Sequence, residues 1–98
     1  MNFLVRGHDG TDPEAPARRR AARAAHLTYL DEGKASGQVC YAVATREGDR
    51  VTGSTVIYQV NSRADLDELL ENEPYVKARV WVTIEVHECG IAPQFVDP

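Results

Sequence analysis

Apolar and polar residues alternate with a period of two in four segments of the chain, which predicts four β-strands. The predicted strands cover residues 2–8, 38–46, 51–60 and 79–88. In the last segment the alternation divides the side chains between two faces. One face carries Val80, Val82, Ile84 and Val86, and the other carries Trp81, Thr83, Glu85 and His87. The polar, Gly-containing connection between the second and third strands predicts a hairpin.

Helical spacing of apolar residues predicts two helices between these strands. The first covers residues 13–35, which are rich in Ala, Arg, Glu and Leu, with Asp12 as its N-cap and Gly37 just past its end. The second covers residues 63–71 and is capped by Ser62. The element order is therefore β-α-β-β-α-β, since each helix joins two strands.

This order predicts an α+β fold of the ferredoxin-like type, with one antiparallel sheet and both helices on one of its faces. A short helical turn is expected at residues 74–78, and the tail over residues 90–98 is expected to be irregular. The opposite face of the sheet has no covering layer and carries apolar residues. We therefore expect the chain to form a homodimer through this open face, with Trp81 in the contact patch.

Length and composition limit the classes of function. The chain has 98 residues, 43% of them hydrophobic, which fits a single domain over residues 1–98. No apolar run approaches the ~20 residues of a membrane span, and no secretory signal is recognisable, so we expect a cytoplasmic protein. Eleven basic and fifteen acidic residues give a net charge of −4, which argues against nucleic acid as a partner.

A run of arginines on the first helix, Arg18–Arg20 with Arg23, is the exception to the acidic balance. One interpretation is a solvated helix face beside Asp12 and Glu14. The other is an anion-binding group at the mouth of a pocket. The sequence leaves both open.

His26 is the best candidate for chemistry. At 100° per residue it lies in the middle of the helix stripe that should face the sheet, so it is either a core histidine or a site residue. A histidine with a pKa near neutrality is a suitable general acid or base. His87 and Cys89 share a strand face but are too few for a metal site, and no cofactor motif is present. We therefore expect neither a metal nor a cofactor.

Several segments together resemble the YCII-like family of dimeric α+β barrel proteins, over about residues 2–96. The segments that carry the resemblance are residues 9–18, 23–27, 52–57 and 74–78. The resemblance implies a ferredoxin-like fold that dimerises sheet to sheet, with a pocket beside a histidine–acid pair. The histidine corresponds to His26. The acid corresponds to Glu73, where the family has Asp, and Ala42-Val43-Ala44 replaces the family's Ala-Gly-Pro.

The resemblance favours an enzyme of the lyase, isomerase or dehydrochlorinase type that acts without a cofactor on small cyclic or phenolic compounds. His26 would move a proton, Glu73 would orient it, and Arg19 would hold an anionic substrate. We expect Tyr41, Ser54 and Tyr75 to line the pocket. The alternative is a non-catalytic dimeric module that binds a small molecule or assists a partner protein. The two departures from the family pattern favour this alternative.

Overall fold

The structure is a computed structural model that describes residues 1–96. Its four strands and two longer helices follow the predicted order, and a short third helix occurs before the last strand, at the position predicted for a helical turn. They are β1 (Asn2–Asp9), α1 (Ala15–Ser36), β2 (Val39–Glu47), β3 (Arg50–Gln59), α2 (Arg63–Glu71), α3 (Pro74–Lys77) and β4 (Trp81–Cys89). The tail contains a single 3₁₀ turn at Pro93–Phe95. The last two residues of the tail predicted to be irregular, 97 and 98, lie outside the described residues.

The strands form one antiparallel sheet in the order β2-β3-β1-β4. The central strand β1 places Val5 beside Val56 of β3 and Val86 of β4. The helices pack on one face of the sheet, which we call the covered face; the opposite side is the open face. This confirms the prediction of a ferredoxin-like α+β fold.

The core lies between the covered face and the helices. Strands β1 and β3 supply buried residues at every second position, as the alternation predicts. The buried apolar residues of this layer include Phe3, Val5, Val56 and Tyr58 from the sheet, with Leu66, Leu70 and Tyr75 from the helices. The edge strand β2, in contrast, stays largely exposed along its length.

The start of α1 differs from the prediction. The helix begins at Ala15, and its N-cap is Glu14, which makes no side-chain capping bond. Asp12, predicted as the cap, is two residues too early. Its carboxylate instead accepts two hydrogen bonds from Arg18, from Nη1 at 2.7 Å and from Nη2 at 2.8 Å. The predicted caps at Gly37 and Ser62 are confirmed.

A β-bulge at Val82 overturns the predicted position of Trp81. His8 pairs with Thr83 but Asp9 pairs with Trp81, so Val82 is an extra residue in β4. The extra residue reverses the alternation before it and brings Trp81 onto the covered face, where it is 3% exposed. The expectation that Trp81 belongs to the open patch is wrong for this reason. Val82, predicted to share a face with Ile84 and Val86, is 57% exposed.

A second bulge, at Cys40 in β2, changes the position of Tyr41. Val39 pairs with Tyr58 on the covered face, whereas Tyr41 pairs with Ile57 on the open face. Without the extra residue Val39 and Tyr41 would share a face, as the simple alternation predicts. Tyr41 is 69% exposed as a result.

The helices of the described chain are all poor candidates for membrane spans. Within residues 1–96 none has both the length and the apolar character that crossing a bilayer requires.

Candidate functional site

A cavity of about 660 Å³ opens between α1 and the covered face of β2 and β3. Its walls are largely apolar, and the four arginines among its lining residues form a basic rim toward the start of α1. The residues that line it are Arg19, Arg20, Arg23, His26, Leu27 and Leu30 of α1, Ala42, Val43, Ala44 and Arg46 of β2, Val51, Ser54 and Val56 of β3, and Tyr75 of α3.

Helical spacing places His26 on the cavity wall. Ala22 and His26 are one turn apart on the buried stripe of α1, as predicted. Further along this stripe, Gly33 lets Val39 approach closely, because a Cβ at position 33 would lie 2.4 Å from a Val39 methyl group. This close approach fixes α1 against the end of β2. His26 is only 6% exposed, and what it exposes faces the cavity.

The local sequence Glu73-Pro74 positions the acid. A residue before proline prefers extended backbone, and Glu73 has φ −68° and ψ 123°. Pro74 then occupies the first turn of α3, where a missing N–H costs nothing. Glu73 is the N-cap of α3, and its Oε1 accepts a hydrogen bond from the Tyr75 N–H at 3.0 Å. Its side chain is completely buried.

The two side chains form a buried histidine–carboxylate pair. Nδ1 of His26 donates to Oε1 of Glu73 at 2.7 Å. Glu73 is one methylene longer than the Asp of the family pattern, yet it reaches the ring. Because Nδ1 carries the proton that faces the carboxylate, Nε2 is the basic nitrogen of the neutral ring. The other carboxylate oxygen, Oε2, is buried and has no hydrogen-bond partner in the described part of the chain.

Two aromatic rings hold the imidazole in this orientation. Tyr75 stacks on His26 with ring centroids 3.7 Å apart and planes within 8°, and Trp81 meets it edge-on at 5.8 Å. Trp81 fits here because β1 has a glycine beside it. A Cβ on Gly7 would lie 2.2 Å from the indole. The ring of His26 is therefore fixed on three sides, by Glu73, Tyr75 and Trp81.

Arg19 forms a second buried group next to the pair. Its Nε lies 3.2 Å from Oδ2 of Asp9, and its Nη2 donates to Ser54 Oγ at 2.8 Å and to the Gly53 carbonyl at 3.0 Å. The guanidinium also lies over the Tyr75 ring, 4.7 Å from its centre. Burial raises the pKa of Asp9, although the nearby Arg19 charge opposes this.

Ser54 links these groups to Trp81. Its hydroxyl also accepts a hydrogen bond from the indole Nε1 at 3.3 Å. The side chain is buried at the base of the cavity and pairs across the sheet with Gly7. Ser54 therefore connects Arg19 to Trp81 through two hydrogen bonds to its hydroxyl.

The structure brings together five of the six predicted site residues. His26, Arg19, Ser54 and Tyr75 line the cavity, and Glu73 lies directly behind His26. Tyr41 is on the open face and outside the cavity, because the bulge at Cys40 turns it away.

Sequence analysis missed Asp9, Trp81 and Arg46 as neighbours of the site. The alternation of β1 did contain a signal for Asp9, since Phe3, Val5, Gly7 and Asp9 share one face. Trp81 and Arg46 had no such signal. A bulge at Thr52, in the hairpin of β2 and β3, pairs Arg46 with Val51. The face on which Arg46 lies therefore depends on this extra residue.

The site has no cluster of metal ligands. Among residues 1–96, no group of three or more His, Cys, Asp and Glu side chains lies close enough together to hold a metal ion.

Comparison with protein-family models decides the family. The model of the YCII-related domain matches residues 1–89. The chain belongs to the YCII-related family. The match confirms the resemblance predicted from the sequence over most of the chain. No curated protein matches the chain with significance.

Two solved structures are similar to this YCII-related chain. One is the 5-chloro-2-hydroxyhydroquinone dehydrochlorinase TftG of Burkholderia phenoliruptrix AC1100, in complex with 2,5-dihydroxybenzoquinone. It is 25% identical, with a TM-score of 0.80, and the match covers 96% of this chain and 98% of that chain. The other is Rv0793 of Mycobacterium tuberculosis, which is 17% identical with a TM-score of 0.51 and matches 94% of this chain and 96% of that one. The second likeness concerns the fold alone.

Proposed function

We propose that this protein is a cofactor-independent enzyme of the lyase or isomerase type, acting on a small cyclic or phenolic compound. His26 is its general acid–base group, and Glu73 is the carboxylate that orients it. One observation carries the proposal: His26, only 6% exposed, lines the wall of a cavity, while its Nδ1 is held by a fully buried carboxylate.

The geometry suits proton transfer from carbon or oxygen. Glu73 keeps the tautomer in which Nε2 is the free base, and its charge stabilises the imidazolium that forms when Nε2 takes a proton. An elimination requires this proton removal together with departure of a leaving group such as chloride. An isomerisation requires return of the proton to another atom of the same molecule. Both reactions use one base and proceed without a redox step.

The similar TftG structure supports this class of reaction. A dehydrochlorinase removes a proton and chloride from its substrate, and the similarity extends over nearly the full length of both chains. A cavity of about 660 Å³ also lies within the usual range of small-molecule sites.

A non-catalytic binding module is the second candidate. It is favoured by Ala42-Val43-Ala44, which lines the cavity where the family pattern has Ala-Gly-Pro. Gly and Pro shape the backbone in ways that Val and Ala do not. On this candidate the cavity binds a ligand without converting it.

The decisive experiment measures chloride release from 5-chloro-2-hydroxyhydroquinone by the wild-type protein and three variants. We expect turnover in the wild type and a loss of at least about 100-fold in His26→Gln. Glu73→Gln should also lower turnover, because the amide cannot stabilise an imidazolium. His87→Gln, an exposed histidine on the open face, serves as the matched control and should match the wild type.

The outcomes separate the two candidates. Chloride release that survives in a folded His26→Gln variant contradicts the proposed role of His26. Binding of 2,5-dihydroxybenzoquinone with no turnover of the chlorinated compound favours the binding module.

We also propose that two copies of the chain associate through the open face. This face exposes Tyr41 and Val43 on β2, and Leu4 and Ile57 lie beside them at its centre. A two-fold contact would cover the same apolar patch on both copies. Sedimentation equilibrium should give a dimer for the wild type and a monomer for Tyr41→Glu. A monomeric wild type would contradict this proposal.

A further inference from the structure

The charge of the cavity rim is opposite to the charge of the chain. The whole sequence has a net charge of −4, yet four arginines line the cavity. None of its lining residues within the described chain is Asp or Glu. Like charges around one concave surface repel each other and raise the local potential, which favours an anion inside.

Arg19 is not the arginine best placed to bind that anion. Its charge is already balanced by Asp9, and its Nη2 is occupied by Ser54 and Gly53. With its side chain 12% exposed and packed over Tyr75, it braces the wall of the cavity. Arg19 is thus better described as a positioning residue than as the ligand for a substrate anion.

The remaining three arginines have uncompensated charges. Arg20 and Arg23 lie three residues apart on α1, and Arg46 extends from β2 on the other wall. Within residues 1–96 none of the three forms an ion pair with Asp or Glu, whereas Arg18, Arg50 and Arg63 each do. Guanidinium groups on facing walls can form charge-assisted hydrogen bonds to a carboxylate or phenolate between them.

The interior of the cavity fits the other part of such a ligand. Leu27 and Leu30 follow His26 along α1, on the side away from the arginines, and together with Val56 of β3 they form an apolar part of the cavity wall. An apolar ring placed against them would lie beside His26, with its charged oxygen directed toward the arginines of the rim. The ring would thus contact apolar side chains, and the anion would contact guanidinium groups.

We infer that the ligand of this cavity is a small ring compound with a carboxylate or phenolate oxygen, which Arg20, Arg23 and Arg46 select. This inference rests on the proposed function as far as the reaction is concerned, and it narrows the substrate class of that reaction. The selection for charge depends only on the rim and holds for a binding module as well.

The test compares benzoate with benzamide, which have nearly the same shape but differ in charge. Binding is measured by calorimetry on the full chain at low and high salt. We expect benzoate to bind at least about tenfold more tightly than benzamide, and its affinity to fall with salt while that of benzamide does not. In the double variant Arg23→Gln/Arg46→Gln the preference should disappear. Arg63→Gln, an exposed arginine on α2 away from the cavity, should keep it.

Three results overturn the inference: equal affinity for the two compounds, no detectable binding of either, or a preference that survives in the double variant. Both substituted side chains are exposed, so the fold should be retained, which circular dichroism checks. His26→Gln separates this inference from the proposed function. Normal chloride release in that variant ends the catalytic role of His26, while an unchanged benzoate preference leaves the selection by the rim intact.

Discussion

Each face of the sheet carries a histidine–glutamate pair, and the two pairs differ mainly in their surroundings. On the covered face His26 and Glu73 have side chains that are 7% and 0% exposed. On the open face His8 is paired with Glu85, and these side chains are 44% and 41% exposed. The same two chemical groups therefore form a buried pair on one face and a solvent-exposed pair on the other.

The difference comes from what packs around each pair. His26 is enclosed by Tyr75 and Trp81, and Glu73 also binds the Tyr75 N–H. Glu85 instead has a second histidine, His87, at 3.6 Å, and Arg6 beside it across the sheet. Only the first pair has one defined geometry in a low-dielectric site, which is the condition for tuned acid–base chemistry.

The largest expected difference is in stability after loss of each carboxylate. Glu73→Leu leaves the His26 Nδ1–H and the Tyr75 N–H buried without an acceptor, and it should cost about 3–5 kcal/mol. Glu85→Leu should change the free energy of unfolding by no more than the error of a urea denaturation experiment, because solvent replaces the partner. Equal losses for the two variants would show that burial is not what distinguishes the pairs.

A smaller effect is expected from the glycine that admits Trp81 to the covered pair. Gly7→Ala places a methyl group against the indole, and overpacking of this kind costs about 1–3 kcal/mol. Displacing Trp81 should also loosen His26, which would change the near-ultraviolet circular dichroism. Gly90→Ala is the control, since a Cβ there meets nothing within 4 Å. A Gly7→Ala variant as stable as the control would contradict the close contact.

Two tyrosines test whether the covered layer tolerates unpaired polar atoms. The Tyr58 hydroxyl is buried with no hydrogen-bond partner in the described chain, and burial raises its pKa. Tyr58→Phe should therefore leave stability unchanged or raise it by about 1 kcal/mol. Tyr29→Phe removes a 2.8 Å hydrogen bond to the Leu69 carbonyl and should cost about 1 kcal/mol in thermal unfolding. The opposite order would indicate a partner for Tyr58.

The smallest effect concerns the open pair and pH. The hydrogen bond from His8 lowers the pKa of Glu85 from its ordinary value of 4.5. A lowered pKa means that the ionised carboxylate stabilises the fold above the unfolded pKa, and that this contribution is lost as the pH falls through the folded value. In His8→Asn, a carboxylate titration followed by NMR should show the pKa of Glu85 returning toward 4.5. An identical titration in both proteins would rule out the His8 contact as its cause.

Much of the architecture could be predicted because it depends on local periodicity. The alternation in β1 and β3 fixed their buried faces, and helical spacing placed His26 on the inner stripe of α1. The Glu73-Pro74 pair predicted the break before α3 and, with the family resemblance, the acid of the pair. These features require only a few neighbouring residues, so a single chain is enough to recognise them.

The bulges could not be predicted in this way. An extra residue at Val82, and another at Cys40, reverses the assignment of faces between the two sides of the bulge while leaving the composition ordinary. Trp81 joined the site and Tyr41 left it for this reason. Likewise, the sequence shows eleven basic residues but not which of them have their charge balanced by a neighbouring acid.

The amino-acid sequence by itself determined the order of strands and helices, the inward direction of His26 and the family of the chain. The tertiary structure alone decided that the longer side chain of Glu73 still reaches His26, that Asp9 pairs with Arg19, and that three further arginines line the cavity. The physical reason is the range of the interactions. Periodicity and capping act over a few residues, whereas pairing of charges and rings depends on strand register across the whole sheet.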